Sequence, residues 1–131
     1  MKKNTVDDYL NNGIYGTPEI KGAERKVFLG TIRERIEIAL TNGQVMKSTT
    51  YKEIESAMKQ AKNTKLLLNG NIAYSYLSKY IKLANQHNIP FSLVQDSDSK
   101  NPMGLVLTHD VAINKENIFV EDDTFKQAKQ S

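Results

Sequence analysis

Apolar and polar positions follow two rhythms along this chain, and the switches between them mark out its elements. In Thr31-Ile32-Arg33-Glu34-Arg35-Ile36-Glu37-Ile38-Ala39-Leu40-Thr41, the apolar Ile32, Ile36, Ile38 and Leu40 share one parity, with Arg33, Arg35 and Glu37 on the other. A period of two predicts a strand. The competing helical spacing (Ile32, Ile36, Ala39, Leu40) is supported by Arg and Glu, whereas the three Ile residues favour the strand. From Tyr51 the period lengthens: Tyr51, Ile54, Met58 and Ala61 fall on one helical face, ended by Lys62-Asn63. Thr50-Tyr51-Lys52-Glu53 has capping-box spacing at the start of that helix.

Lys65 to Asn69 is a short apolar strand. The next helix, about Ile72 to Asn88, places Ile72, Ala73, Tyr76, Leu77, Tyr80, Leu83 and Ala84 on a broad apolar face. Asn88-Ile89-Pro90 leads into a further strand, Phe91 to Gln95. Strand, helix and strand of these lengths form a βαβ unit with parallel strands.

The flanks are less regular. Residues 1–30 read as an N-terminal helical arm of the same domain, with a short helix over Val6 to Asn11, a turn-rich run to Pro18, and a helix over Ala23 to Leu29 that Gly30 stops at its C′ position. Asp96 to Pro102 has loop composition. Met103 to Ile113 has two readings: a strand from Met103, or a short helix over Met103 to Thr108 followed by a strand at Val111 to Ile113. Ile118-Phe119-Val120 is a candidate edge strand, and 121–131 an acidic, frayed tail. The predicted class is α/β (α+β): a βαβαββ mixed sheet over residues 31–120, packed with helices.

A chain of 131 residues is one domain that can bury a proper core. With no Cys there is no disulfide partner, thiolate metal site or cysteine nucleophile. No leader-like or bilayer-length apolar run is present, so the expectation is a cytoplasmic protein that does not enter a membrane. Charge is uneven: residues 1–95 carry 14 Lys+Arg and 8 Asp+Glu, net +6, while residues 96–131 carry 4 and 7, net −3. A basic body points to an anionic partner.

Nucleic-acid binding needs cations for phosphates and hydrogen-bonding groups for bases. Arg33 and Arg35 on one parity of the first strand, with Asn42, Gln44, Lys47 and Lys52 about the following junction, are the candidate RNA-binding set. Residues 21–82 carry a net +7. The turn Asn69-Gly70-Asn71, between a strand and a helix, is a candidate anion site through its amides. A small anionic metabolite, bound by an enzyme or sensor at a subunit interface, is the alternative, and an adaptor for another protein is a third class. His87 and His109 lie in no recognised nucleophile or metal spacing, so no catalytic residue, metal or cofactor is assigned. His87 reads as packing or capping its helix end.

Tyr15-Gly16-Thr17-Pro18-Glu19, Phe28-Leu29-Gly30-Thr31, Arg33-Glu34-Arg35, Ala39-Leu40-Thr41 with Gln44-Val45, Asn69-Gly70 and Asn88-Ile89-Pro90 occur together in this order. In that set the chain, over about residues 9–123, resembles the YueI-like family of small proteins from Gram-positive bacteria. The resemblance implies the βαβαββ arrangement of the Bacillus chorismate mutase-like group and brings no established activity. The later half also resembles, in outline, the kink-turn-binding ribosomal proteins, through Leu66 to Asn69, Asn88-Ile89-Pro90 and Met103 to Thr108. Their RNA-contacting Gly-x-Asn-x-x-Thr-Lys corresponds to Thr41 to Ser48, where Asn42, Gly43 and Lys47 stand in a different order and spacing.

Overall fold

The computed structural model describes Arg25, residues 27–95 and residues 101–130, the side chains of the last helix as far as Gln127. The expected helix at Val6 to Asn11 and most of the loop after Gln95 lie outside the described residues. Four strands form one mixed sheet: β1 (Ile36–Thr41), β2 (Thr64–Asn69), β3 (Phe91–Val94) and β4 (Met103–His109), in the order β1-β4-β2-β3. β2 and β3 pair in parallel, while β4 lies antiparallel between β1 and β2. The helices are α1 (Asn42–Val45), α2 (Lys52–Gln60), α3 (Tyr74–Gln86) and α4 (Asp123–Gln130). None of the described helices is long and apolar enough to cross a membrane.

The strand reading of Met103 holds, and its burial explains why periodicity left it open. Met103 to Thr108 are all buried, because this central strand is covered on both faces, and such strands read as continuous apolar runs. On one face Ile38, Leu40, Leu66, Leu68, Leu105 and Leu107 pack against α2 and α3. On the other, Ala39, Leu67 and Val106 meet Val27, Phe28, Leu29, Ile118 and Phe125. α3 contributes Leu77, Tyr80, Ile81 and Ala84 to the core, while Tyr76, expected there, is exposed.

Five local expectations need correction. The first strand starts at Ile36, since Arg33–Arg35 form a 3₁₀ turn. Long-range bonds hold that turn: Glu34 carbonyl accepts from the Ile113 and Asn114 amides at 2.7 and 2.9 Å. Arg33 and Arg35 therefore do not share a strand face. A register shift between Ile36 and Ile38 also breaks the parity, sending Ile36 to the second core rather than to that of Ile38 and Leu40.

The stop of the arm helix is displaced too. Leu29 takes the left-handed C′ conformation (φ 58°) and Gly30 (φ 104°) follows it, its amide bonding Arg25 carbonyl at 2.7 Å in a Schellman closure. Burial of Leu29 offsets the unfavourable φ. The capping box expected from Thr50 is absent: Tyr51 is the N-cap of α2 and makes no side-chain cap. A box forms instead at Thr41, which exchanges bonds with Gln44, so Asn42-Gly43 opens the single turn of α1.

The acidic tail contains α4. Asp122 accepts the Phe125 amide at 2.9 Å as its cap, and Phe125 is buried with its ring 5.1 Å from Phe119. Ile118 to Val120 makes a single parallel bridge, Ala39 to Phe119, rather than a strand. Asp122 also accepts from Tyr51 Oη and from Gln44 Nε2 (3.1 Å), with Lys47 at 3.8 Å. Partial burial opposes ionisation of Asp122, but the bonds from Tyr51, the Phe125 amide and Gln44, together with Lys47, outweigh it and lower its pKa. The same carboxylate, with burial as the larger cause, pushes the Tyr51 hydroxyl well up.

Phe125→Ala should cost about 3–5 kcal/mol in urea unfolding, the range for truncating a buried Phe; a cost below about 1 kcal/mol would show that α4 does not close the core. Because the folded-state pKa of Asp122 is depressed, its contribution is fully present above the ordinary carboxylate value near 4 and is lost as pH falls through the lowered one. Asp122→Asn should therefore flatten the acid limb of a stability–pH curve, and an unchanged limb would remove Asp122 from that role.

Candidate anion-binding site

The residues singled out in the sequence separate to opposite ends of the sheet. At the C-terminal ends of β1 and β2, the amide side chains knit the strands together. Asn42 Nδ2 donates to Asn101 carbonyl at 2.6 Å, while Asn69 Nδ2 reaches Asn42 Oδ1 at 3.3 Å and Met103 carbonyl at 3.0 Å. Gln44 is buried, donating to Val120 carbonyl at 2.7 Å as well as to Asp122. Lys47 lies by Asp122 and over the Tyr51 ring, and Lys52 is exposed on α2.

The expected anion turn is closed by its own bonds. Gly70 amide donates to Val94 carbonyl at 2.9 Å, Asn71 amide to Asn69 Oδ1 at 2.9 Å, and Ile72 amide to Asn69 carbonyl at 3.1 Å. A Cβ at Gly70 would sit 3.3 Å from Val94 carbonyl and would displace the end of the exposed Gln95 side chain. Lys79 of α3 fills a further gap at this end. Its ammonium donates to the Val45 and Lys47 carbonyls, both at 2.9 Å, beyond the last turn of α1, and burial lowers its pKa.

Arg33 and Arg35 lie at the other end, where β1 and β2 begin and β4 finishes. Arg33 is a clamp: its guanidinium donates to Lys115 and Glu116 carbonyls at 2.8 and 2.7 Å. Arg35 is different. Its head group pairs with no carboxylate among the described residues, and its buried Nε has no hydrogen-bond acceptor. It lines a cleft of about 420 Å³ that also holds Arg25, Lys65, Thr31, Thr108 and His109, with Asp110 the acid on its wall.

The folding of three segments assembles that wall. The Schellman closure brings Arg25 beside Gly30, whose carbonyl its guanidinium contacts at 3.2 Å. The register of β2 on β4 sets Lys65 opposite Thr108 and Thr64 opposite His109. Thr31 and Thr108 hydroxyls meet at 2.8 Å, and Thr108 also donates to Arg35 carbonyl at 3.2 Å. His109 Nε2 lies 2.9 Å from Glu37 Oε1, and Lys115 holds the other oxygen at 3.0 Å. Burial opposes ionisation of Glu37, yet the bonds and charges of His109 and Lys115 outweigh it and lower its pKa. Glu37 is thereby occupied outside the cleft's cationic group.

Arg25, Lys65 and His109 were not singled out as ligand contacts in the sequence. They are 84 positions apart end to end, and only the β2–β4 register together with the Schellman closure before Gly30 brings them to one wall. The arrangement is suited to holding an anion: two guanidinium groups and an ammonium, with hydroxyls alongside. Among the described residues, no three His, Cys, Asp or Glu side chains gather as a metal-holding group. His87 caps α3, its amide bonding Leu83 carbonyl at 3.1 Å, while its ring lies 3.3 Å from Glu55.

Comparison with known proteins supports the fold and gives no ligand. Over 128 residues the chain is 41% identical to the uncharacterised protein YueI of Bacillus subtilis (strain 168), covering 98% of this chain and 97% of that one. The crystal structure of the YueI protein from Bacillus subtilis superposes with a TM-score of 0.84 at 43% identity, covering 93% of this chain and 95% of the other. The sequence profile of the family described as protein of unknown function (DUF1694) matches residues 3–119, and with those relatives it shows that this chain belongs to that family.

Proposed function

We propose that this protein is a binding module for a phosphate-bearing ligand, held in the cleft where β1 and β2 begin. The observation that carries the reading is Arg35. A partly buried guanidinium with no acid partner among the described residues costs stability, and a buried donor without an acceptor adds about 1–3 kcal/mol to that cost. Arg25 and Lys65 beside it raise rather than neutralise the local charge. An anion in the cleft supplies the missing countercharge and acceptors, as phosphate does for paired arginines elsewhere. The working surface of the basic body then lies at the end of the sheet opposite the Asn42–Lys52 junction.

Such a site trades stability for function, which separates it from a structural ion pair. Arg35→Met should leave the thermal midpoint unchanged or raised, and weaken inorganic phosphate or pyrophosphate binding about tenfold or more, as for loss of a charged hydrogen bond. Calorimetric titration at low salt reads the affinity, and phosphate binding unaltered by the substitution would overturn the proposal.

A further inference from the structure

β3 is an edge of the sheet: β2 lies on one side of it, and among the described residues no strand lies on the other. The pair is parallel, and the Pro90 and Val94 carbonyls accept from the Leu66 and Gly70 amides, both at 2.9 Å. Alternation along the strand therefore turns the amides and carbonyls of Phe91 and Leu93 outward. Both residues also expose large apolar side chains, 37% and 43% accessible. Their pairing with Leu66 and Leu68 sets them on the face of the sheet that carries α2 and α3, and Ser92 and Val94 lie on the other.

Nothing within the strand guards this edge. Edges are commonly protected by charge, by an internal Pro or by a bulge, and Phe91-Ser92-Leu93-Val94 has none of these, its register on β2 being unbroken. The adjoining flank of α3 has the same character. The Lys79 ammonium, on the Val45 and Lys47 carbonyls, turns one side of α3 towards α1. Tyr74, Ser78, Ile81 and Asn85, at helical spacing on the other side, lie towards β3. None of the four is charged, and Tyr74 is largely exposed.

We infer that a second copy of this chain pairs with the β3 edge, antiparallel about a two-fold axis at Ser92. Outward backbone donors and acceptors require a strand, and this one complements itself. The two-fold sets Phe91 opposite the partner's Leu93 in each hydrogen-bonded pair, with Ser92 against its own copy in the pair between them. Charge agrees with the direction. Lys59, Lys62 and His87 line a cleft of about 620 Å³ together with Pro90, where β3 begins, and the sequence that follows β3 is acidic, with Asp96 and Asp98. Antiparallel pairing directs each chain's acidic continuation towards the basic start of the other strand, whereas parallel pairing sets like charges together. Two four-residue strands are small beside the about 800 Å² per partner of a standard interface, so the α3 flanks meet across the axis and supply the remainder.

Sedimentation velocity of the full chain over the micromolar range tests this independently of the anion cleft. A dimer in concentration-dependent equilibrium is expected. Leu93→Lys, at an exposed position, should weaken it about tenfold or more and leave the circular dichroism spectrum unchanged. Since the chain has no Cys, Ser92→Cys reports the axis: directly opposed residues of a non-hydrogen-bonded pair lie about 4.5 Å apart at Cα, within disulfide reach. Mild oxidation should link Ser92→Cys chains in pairs and leave Gln95→Cys chains single, since their thiols would stand about 20 Å apart along the strands. A monomer at every concentration would overturn the proposal, and protection of its Phe91 and Leu93 amides from hydrogen exchange would show that another part of the same chain covers the edge. A dimer that Leu93→Lys leaves intact, or that links as readily through Gln95→Cys as through Ser92→Cys, would overturn it equally.

Discussion

β4 pairs with β1 on one side and β2 on the other, and its side chains are buried on both faces. Most of the molecule depends on this insertion. Without it the parallel pair of β2 and β3 would have no link to β1, and the two apolar clusters would have no common wall. Gly104 shows how tight the fit is: a Cβ there would lie 2.8 Å from Val45 Cγ2 and 3.0 Å from Thr41 carbonyl. α1 therefore packs directly on the β4 backbone, and the capping box at Thr41 fixes where it does so.

The same insertion makes the two ends of the sheet chemically unlike. Open sheets with parallel strands commonly place ligands beyond the carboxyl ends of those strands. Here that end is filled by Asn42, Asn69 and Asn101, by α1, and by the Lys79 ammonium on its carbonyls. Buried amides in a satisfied network hold one arrangement firmly. The opposite end has unpaired charge, a shared rim at Asn63 and Thr64, and two clefts. The polar residues that looked most available in the sequence are therefore the ones most occupied in the fold.

The C-terminal segment follows a similar logic. Asp122 joins α4, the β1–α1 junction and the start of α2 through one carboxylate. In composition Glu121-Asp122-Asp123 is a solvated acidic run. In the structure one of its acids is a cap and a hub, and Phe125, three residues on, closes the second core. Phe125 is a lone aromatic among polar residues, and a single such position sets no repeat for periodicity to detect.

What the sequence determined by itself was the order and type of its long periodic elements: α2 from Tyr51, Ile54 and Met58, β2 from its leucines, α3 from Leu77, Tyr80 and Ala84, and the family from its ordered motifs. These are local because each rests on a repeat within a few residues, and that repeat records which face will be buried. Tertiary structure decided the rest. Arg33–Arg35 turns because residues 113–116 hold it, Ile36 changes face because β1 is bulged against β4, and the buried Nε of Arg35 meets no acceptor among the described residues. A site made from Arg25, Arg35, Lys65 and His109 has no spacing to read, because the distances that matter are set by strand register and not by sequence separation.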